Sequence, residues 1–374
     1  MAWQPILDGE LAKRARSRLV EIAAEVARGD GPPADAALFW SHAASLKLVP
    51  EAAGHAAAAY ERFARAIEQV FERGPQSLGL EGGLIYLAWV AAHVADDVDD
   101  LLSATDDAVL AVLREAPNEQ LPYDLHSGLV GFGSYLLARG DAACVETGLA
   151  YIVDHLAARA QVDERGTFWR TPATGLPREI AADWPDGVVN CGVAHGTPGA
   201  IALLSRIAMR AGSGGRAAAL RDSAVRWLLS WQQSDGSFPL WVAGDRCHGS
   251  REAWCYGRPG IAAALTGAID PEARTAIDDG WIGMTPERAS IEHAGLCHGA
   301  AGLGHLANCV YQKSGRHEHL AAARRWLELS LRLPIDGPAL AELWNGVVGV
   351  GLVLIAALDP DEPAWHELLF PGGL

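Results

Sequence analysis

The chain has little of what marks nucleic-acid binders, membrane spans or disulfide frameworks. Among its 374 residues, 30 lysines and arginines face 46 aspartates and glutamates, a formal net charge of -16. Phosphate backbones are bound by basic groups that displace counterions, so this balance argues against a nucleic-acid partner. No stretch of about eighteen apolar residues occurs. Even the run from Leu84 to Val94 soon meets Asp96, Asp97, Asp99 and Asp100, and no transmembrane segment is expected. The first ten residues carry Asp8 and Glu10 where a secretory signal needs a basic stretch and an apolar run, which reads as a mature, cytoplasmic chain. Six cysteines, at 144, 191, 247, 255, 297 and 309, are too sparse for a disulfide scaffold, leaving reduced thiols or metal ligands. Sustained period-two alternation is missing too, and valine is scattered, so few strands are expected. Half of the residues are apolar and no low-complexity stretch divides them, which favours one large domain over residues 1–374.

What the chain does have is a recurring glycine-led phrase. It reads Gly128-Leu-Val-Gly131, Gly196-Thr-Pro-Gly199, Gly257-Arg-Pro-Gly260, Gly299-Ala-Ala-Gly302 and Gly346-Val-Val-Gly349, with a degenerate copy at Gly83. The first glycine advances by 45, 68, 61, 42 and 47 residues from copy to copy, so the repeat unit is a helical hairpin with variable insertions. Glycine destabilises a helix interior by about 1 kcal/mol. Its return at helix starts therefore implies a close backbone approach, as crowded inner helices would demand. Between the copies lie amphipathic segments such as 217–232 and 321–333, which read as outer helices. The fold class expected is all-α, a closed ring of hairpins, or α/α toroid. Such a ring gathers the inner helix starts at one end, where N–H groups and helix dipoles place the site.

Two segments interrupt the pattern. Residues 161–189, with Gly166, Pro172, Gly175, Pro177, Pro185 and Gly187, read as an irregular insertion that could include a small β-hairpin or a partner surface around Phe168, Trp169 and Trp184. The turn from Gln232 to Phe238 reads as structural.

The residues beside the first glycines carry the chemistry. His195 precedes Gly196, Cys255 stands two before Gly257, and Cys297-His298 precede Gly299. In a ring of hairpins these positions converge on one mouth. Two thiolates and an imidazole suit Zn²⁺, and three protein ligands leave a fourth position for water or substrate, as in a catalytic site. A free cysteine, with a pKa of about 8.5, is mostly protonated near neutrality, whereas coordination deprotonates it. Two protein thiolates offset the zinc charge, so a bound substrate thiolate stays nucleophilic. Thiol activation is the chemistry this ligand set favours.

His195 is placed to act as acid or base, since an imidazole exchanges protons near neutral pH; the alternative is a cap on its own helix. Asp124, four residues before Gly128, would orient His195 or handle a proton itself, or simply cap its helix. Arg251 would bind a developing enolate, or pair with Asp124 or Glu252. His126, His248, His293 and His305 lack the shared offset and read as surface or supporting groups, and Cys191, Cys247 and Cys309 have no partner at metal-ligand spacing.

Asp124-x-x-x-Gly128-x-x-Gly131, Ala194-His195-Gly196, Arg251-x-x-Trp254-Cys255-Tyr256-Gly257 and Leu296-Cys297-His298-Gly299 together resemble the lanthionine synthetase C-like cyclases, from roughly Gly83 to Gly349. The resemblance implies a toroid of seven hairpins, zinc held at Cys255, Cys297 and His298, and catalytic roles for His195 and Asp124. Only six glycine starts are visible, which places the remaining hairpin within the first 75 residues. The implied reaction adds a peptide cysteine thiol to dehydroalanine or dehydrobutyrine in the same precursor peptide, giving lanthionine or methyllanthionine rings. The implied partners are a precursor peptide with its leader, a lanthipeptide dehydratase and a membrane-associated transporter complex. Related proteins add or bind glutathione with the same zinc site, which is one alternative. A second is a non-catalytic peptide-binding scaffold clamped by zinc. A terpene-cyclase-like toroid, suggested by the Gln233–Phe238 turn, would need an acidic metal-diphosphate cluster. Asp96 to Asp100 has that character but not the site offset, and reads as a solvated acidic turn.

Overall fold

The computed structural model describes residues 2–44, 46, 49, 51–117, 121–210, 215–269, 271–335 and 341–370. It divides into two compact units, one of Met1–Pro75, Val90–Asp96 and Trp281–His366, the other of Gln76–Trp89, Asp97–Gly280 and Glu367–Leu374.

In the first unit the Val347–Leu358 helix is apolar throughout and buried at every residue. It packs against the helices Gly9–Arg28, Pro33–Ala43 and Ala300–Ser314. Pro33–Ala43 supplies the hairpin that lacks a glycine start. Its side chains from Ala34 to Trp40 are all buried, as in the glycine-led helices, but it opens on Pro33, whose fixed φ suits a first helical position. Its partner in the hairpin is the amphipathic Ala52–Arg73 helix.

The second unit pairs buried helices with one-sided ones in the same way. Leu129–Ala138 packs on Cys144–Arg159, and Thr197–Arg210 packs on Arg216–Leu229 and Arg258–Ala264. The unit also holds two antiparallel sheets. Gln161–Asp163 pairs with Gly166–Phe168. A four-stranded sheet runs Arg170–Thr171, Val188–Asn190, Pro239–Ala243, Arg246–Ser250, in that order. Residues 161–189 thus hold short strands with Trp169 and Trp184 buried, not a partner surface made by those rings. Asp96, Asp97, Asp99 and Asp100 are exposed, the last two in the first turn of the Asp99–Glu115 helix, where its dipole favours carboxylates.

The paired glycines have a local cause. A Cβ at Gly128, Gly196 or Gly257 would collide with the carbonyl oxygen six residues earlier, on Pro122, Asn190 or Arg251. The second glycines repeat the relation: Gly131, Gly199, Gly260, Gly302 and Gly349 face the carbonyls of Leu125, Val193, Trp254, Leu296 and Leu343. The close approach is therefore between each helix start and its own preceding turn, rather than mainly between crowded helices. The turn folds back far enough to bond the helix. Leu129, Val130 and Gly131 donate their N–H groups to Pro122, Tyr123 and Asp124 at 3.0, 3.2 and 3.3 Å. Ala300, Ala301 and Gly302 do the same to His293, Ala294 and Gly295 at 3.0, 2.9 and 3.3 Å. Expected as open donors, these N–H groups are already satisfied by main-chain carbonyls, and chemistry at the helix starts falls to side chains.

Gly257 combines this approach with a φ of +89°, which side-chain-bearing residues rarely adopt. Gly257→Ala should destabilise the chain by roughly 2–4 kcal/mol, read as a lower melting temperature. An unchanged melting temperature would show that the turn can yield.

Candidate active site and metal centre

The residues singled out in sequence lie in these turns, and main-chain and side-chain hydrogen bonds tie the turns sideways. The Leu125 N–H donates to Ala194 O at 3.1 Å, joining the turn before Gly128 to that before Gly196. Asn190 Nδ2 donates to Tyr256 Oη at 2.7 Å, joining the latter to the turn before Gly257. In the first unit, the Cys297 N–H donates to Trp344 O at 2.8 Å.

Asp124 and His195 meet. Asp124 Oδ2 lies 3.2 Å from His195 Nδ1, and Oδ1 accepts the Ser127 N–H at 2.7 Å. Burial alone would raise the Asp124 pKa, but the hydrogen bond and charge of His195, with the Ser127 N–H, hold it below the usual carboxylate range. Burial pulls His195 the other way, down; Asp124, then the charges of Cys255 and Glu81, outweigh it and hold the imidazole above its ordinary value. A carboxylate that low accepts, so Nδ1–H donates and Nε2 is left for proton exchange.

His126, set aside in sequence for want of the shared offset, belongs to this constellation. It is 5 % exposed and stacked on His195 with ring centroids 4.9 Å apart, while its edge meets Trp254 at 6.1 Å. Its Nδ1 lies 3.3 Å from Glu81 Oε2, and that hydrogen bond holds Glu81 below the usual carboxylate range against burial. The signal was its place in the turn of Asp124, two residues on. Arg251 is exposed and forms neither suggested pair. Glu252 instead binds Arg258, with Nε–Oε1 at 2.7 Å, and Asp124 is taken by His195.

Cys255 is buried in the second unit, and Cys297 and His298, adjacent in the first, are half-buried. Two thiols and an imidazole are a donor set that tetrahedral zinc takes, at about 2.3 Å from sulfur and 2.0–2.1 Å from nitrogen. The donor set fits zinc. The His293 ring stands edge-on to His298 at 4.5 Å. Cys191 is fully buried, and burial pushes its thiol pKa up, as for a small core residue. Cys247 is exposed. Cys309, read as lacking partners, gathers instead with His305 and His366.

Residues 36–370 match the family model described as lanthionine synthetase C-like protein. The chain belongs to that family. Among solved structures, this lanthionine synthetase C-like chain is similar to one named nisin cyclase, with a TM-score of 0.79 and 18 % identity over 96 % of this chain and 97 % of the other. At that identity the likeness establishes the fold, an α/α toroid of helical hairpins. No helix among the described residues is long and apolar enough to cross a membrane.

Proposed function

We propose that the chain is a zinc-dependent lanthipeptide cyclase, one catalytic domain acting in the cytoplasm on a leader-bearing peptide that a partner dehydratase has already dehydrated. The observation that carries this reading is that a chain of this family has two thiols and an imidazole, Cys255, Cys297 and His298, in the turns before its glycine-led helices. The ligands would be these three. Bound there, zinc would supply a thiolate-stabilising charge largely offset by two protein thiolates, so that a substrate thiol ionises yet stays reactive.

The remaining steps fall to this chain's own residues. Addition forms a C–S bond at the β-carbon of the dehydrated residue and shifts its π electrons toward the carbonyl as an enolate. Protonation at the α-carbon completes the reaction, and the proton balances the one lost from the thiol. His195 supplies that proton from Nε2, its raised pKa keeping an imidazolium available near neutrality. Asp124 holds Nδ1–H and fixes the ring, and His126 keeps the other ring face. Arg251, exposed at the start of its turn, is left to meet the developing enolate oxygen.

The test is incubation with a dehydrated precursor peptide, followed by thiol alkylation and mass measurement. Ring formation protects cysteines from alkylation without changing the peptide mass. If the thiols stay reactive while added glutathione is consumed, the glutathione-adding alternative replaces this one.

A further inference from the structure

The chemistry above leaves unused a second group of soft donors, wholly inside the first unit. His305 and Cys309 are four residues apart on the Ala300–Ser314 helix, so both face one side of it. His366 reaches the same place from the short 3₁₀ helix Ala364–Leu369. Each of the three offers a ligand atom within 4.8 Å of the others. His305 Nε2 lies 3.6 Å from Cys309 Sγ. A three- or four-coordinate d¹⁰ ion, about 2.0 Å from nitrogen and 2.3 Å from sulfur, sets the same pair about 3.5–3.8 Å apart.

The surroundings select the ion. His305 and Cys309 are each 1 % exposed and His366 is 8 % exposed. The Trp365 ring lies 4.5 Å from His305, and Trp3 stands 6.3 Å from His305 and 6.0 Å from His366. Buried His305 Nδ1 makes no hydrogen bond among the described residues. His366 Nε2 lies 3.7 Å from Glu362 Oε1, a carboxylate that backs one ring nitrogen as at many metal-ligating imidazoles. An imidazole binds a metal as a neutral ring, and a cysteine binds it as a thiolate. Burial pushes the Cys309 thiol up, while Lys313 and Glu362 act on it with opposite signs.

One thiolate is therefore the only negative charge this group itself can supply. A monovalent cation displacing the thiol proton to solvent leaves the group neutral, whereas a divalent one leaves a net positive charge in an apolar interior. Two imidazoles and a thiolate are also soft enough for copper in its reduced state, which accepts three ligands. We propose that His305, Cys309 and His366 form a site for monovalent copper, separate from Cys255, Cys297 and His298.

The test uses the full-length chain with Cys255→Ala and Cys297→Ala, which removes the competing thiols. It is loaded anaerobically with a Cu⁺–glutathione complex and then challenged with a chromophoric Cu⁺ chelator. The expected result is a single copper retained per chain, with an X-ray absorption spectrum of one sulfur and two nitrogen neighbours. Adding Cys309→Ser should abolish retention. Should the double substitution unfold the chain, the unsubstituted protein saturated with zinc takes its place, read by the same copper spectrum. No retained copper, retention unaffected by Cys309→Ser, or zinc held there in preference to copper would each overturn the assignment.

Discussion

Chains carrying Cys297→Ala will lose zinc on dialysis and leave every substrate cysteine open to alkylation. Zinc needs three protein ligands to hold it with one position left open, and two cannot do so at cellular concentrations. Losing a group that merely orients a ligand weakens metal binding about 10–100-fold, so losing a ligand should exceed the upper figure. The substitution should spare the fold. Cys297 is half-buried, and what ties its turn in place is the main-chain bond from its N–H to Trp344 O, which alanine keeps. Metal content, melting temperature and ring formation, measured together, separate loss of the ion from loss of structure. A metal-free variant that still closes rings would sink the proposed mechanism.

The second large effect is expected from Asp124→Asn. Asparagine can keep the bond from the Ser127 N–H through Oδ1, so the turn survives, but an amide nitrogen then faces His195 Nδ1. The neutral ring must turn its proton to Nε2, the wrong tautomer for a group meant to be recharged there. The sign of the pH effect follows from the same pair. In the native chain Asp124 overrides burial and holds the imidazole above its ordinary pKa of about 6.5, so the acid form declines only as pH rises through that higher value. With the carboxylate gone, burial is less opposed and the pKa falls. Turnover should drop by roughly two to three orders of magnitude, within the range of positioned acid–base groups, and its alkaline limb should move to lower pH. NMR titration of the His195 ring checks the shift directly. An unmoved limb would remove Asp124 from that role.

Five paired glycines and the single Gly83 announced six helix starts, and Cys255 and Cys297 lie in the turns just before two of them. Such features are legible because each rests on a backbone demand that glycine alone meets. Pro33–Ala43 escaped because proline replaces glycine at its start and no carbonyl crowding is written into its sequence. The Pro239–Ala243 and Arg246–Ser250 strands were missed, although the two residues between them, Gly244 at φ +58° and Asp245, are a hairpin signal. His126 is not legible from its offset to the glycine, because its stacking on His195 depends on two turns lying side by side. Cys309 and His305 show helical spacing plainly, but the third member, His366, lies far along the chain and carries no local mark.

Because the helix starts at Leu84, Leu129 and Ala300 are bonded to carbonyls seven residues back, each of these turns and its helix start form one unit of fixed length. The advance from one first glycine to the next varies from 42 to 68 residues, and the connecting chain can lengthen or shorten without disturbing that unit. One residue added between Pro122 and Gly128 would shift the whole bonding frame and carry the Asp124 carboxylate out of reach of its histidine. Changes in length can therefore be absorbed in the connecting stretches, while such a turn keeps its residue count and its glycines.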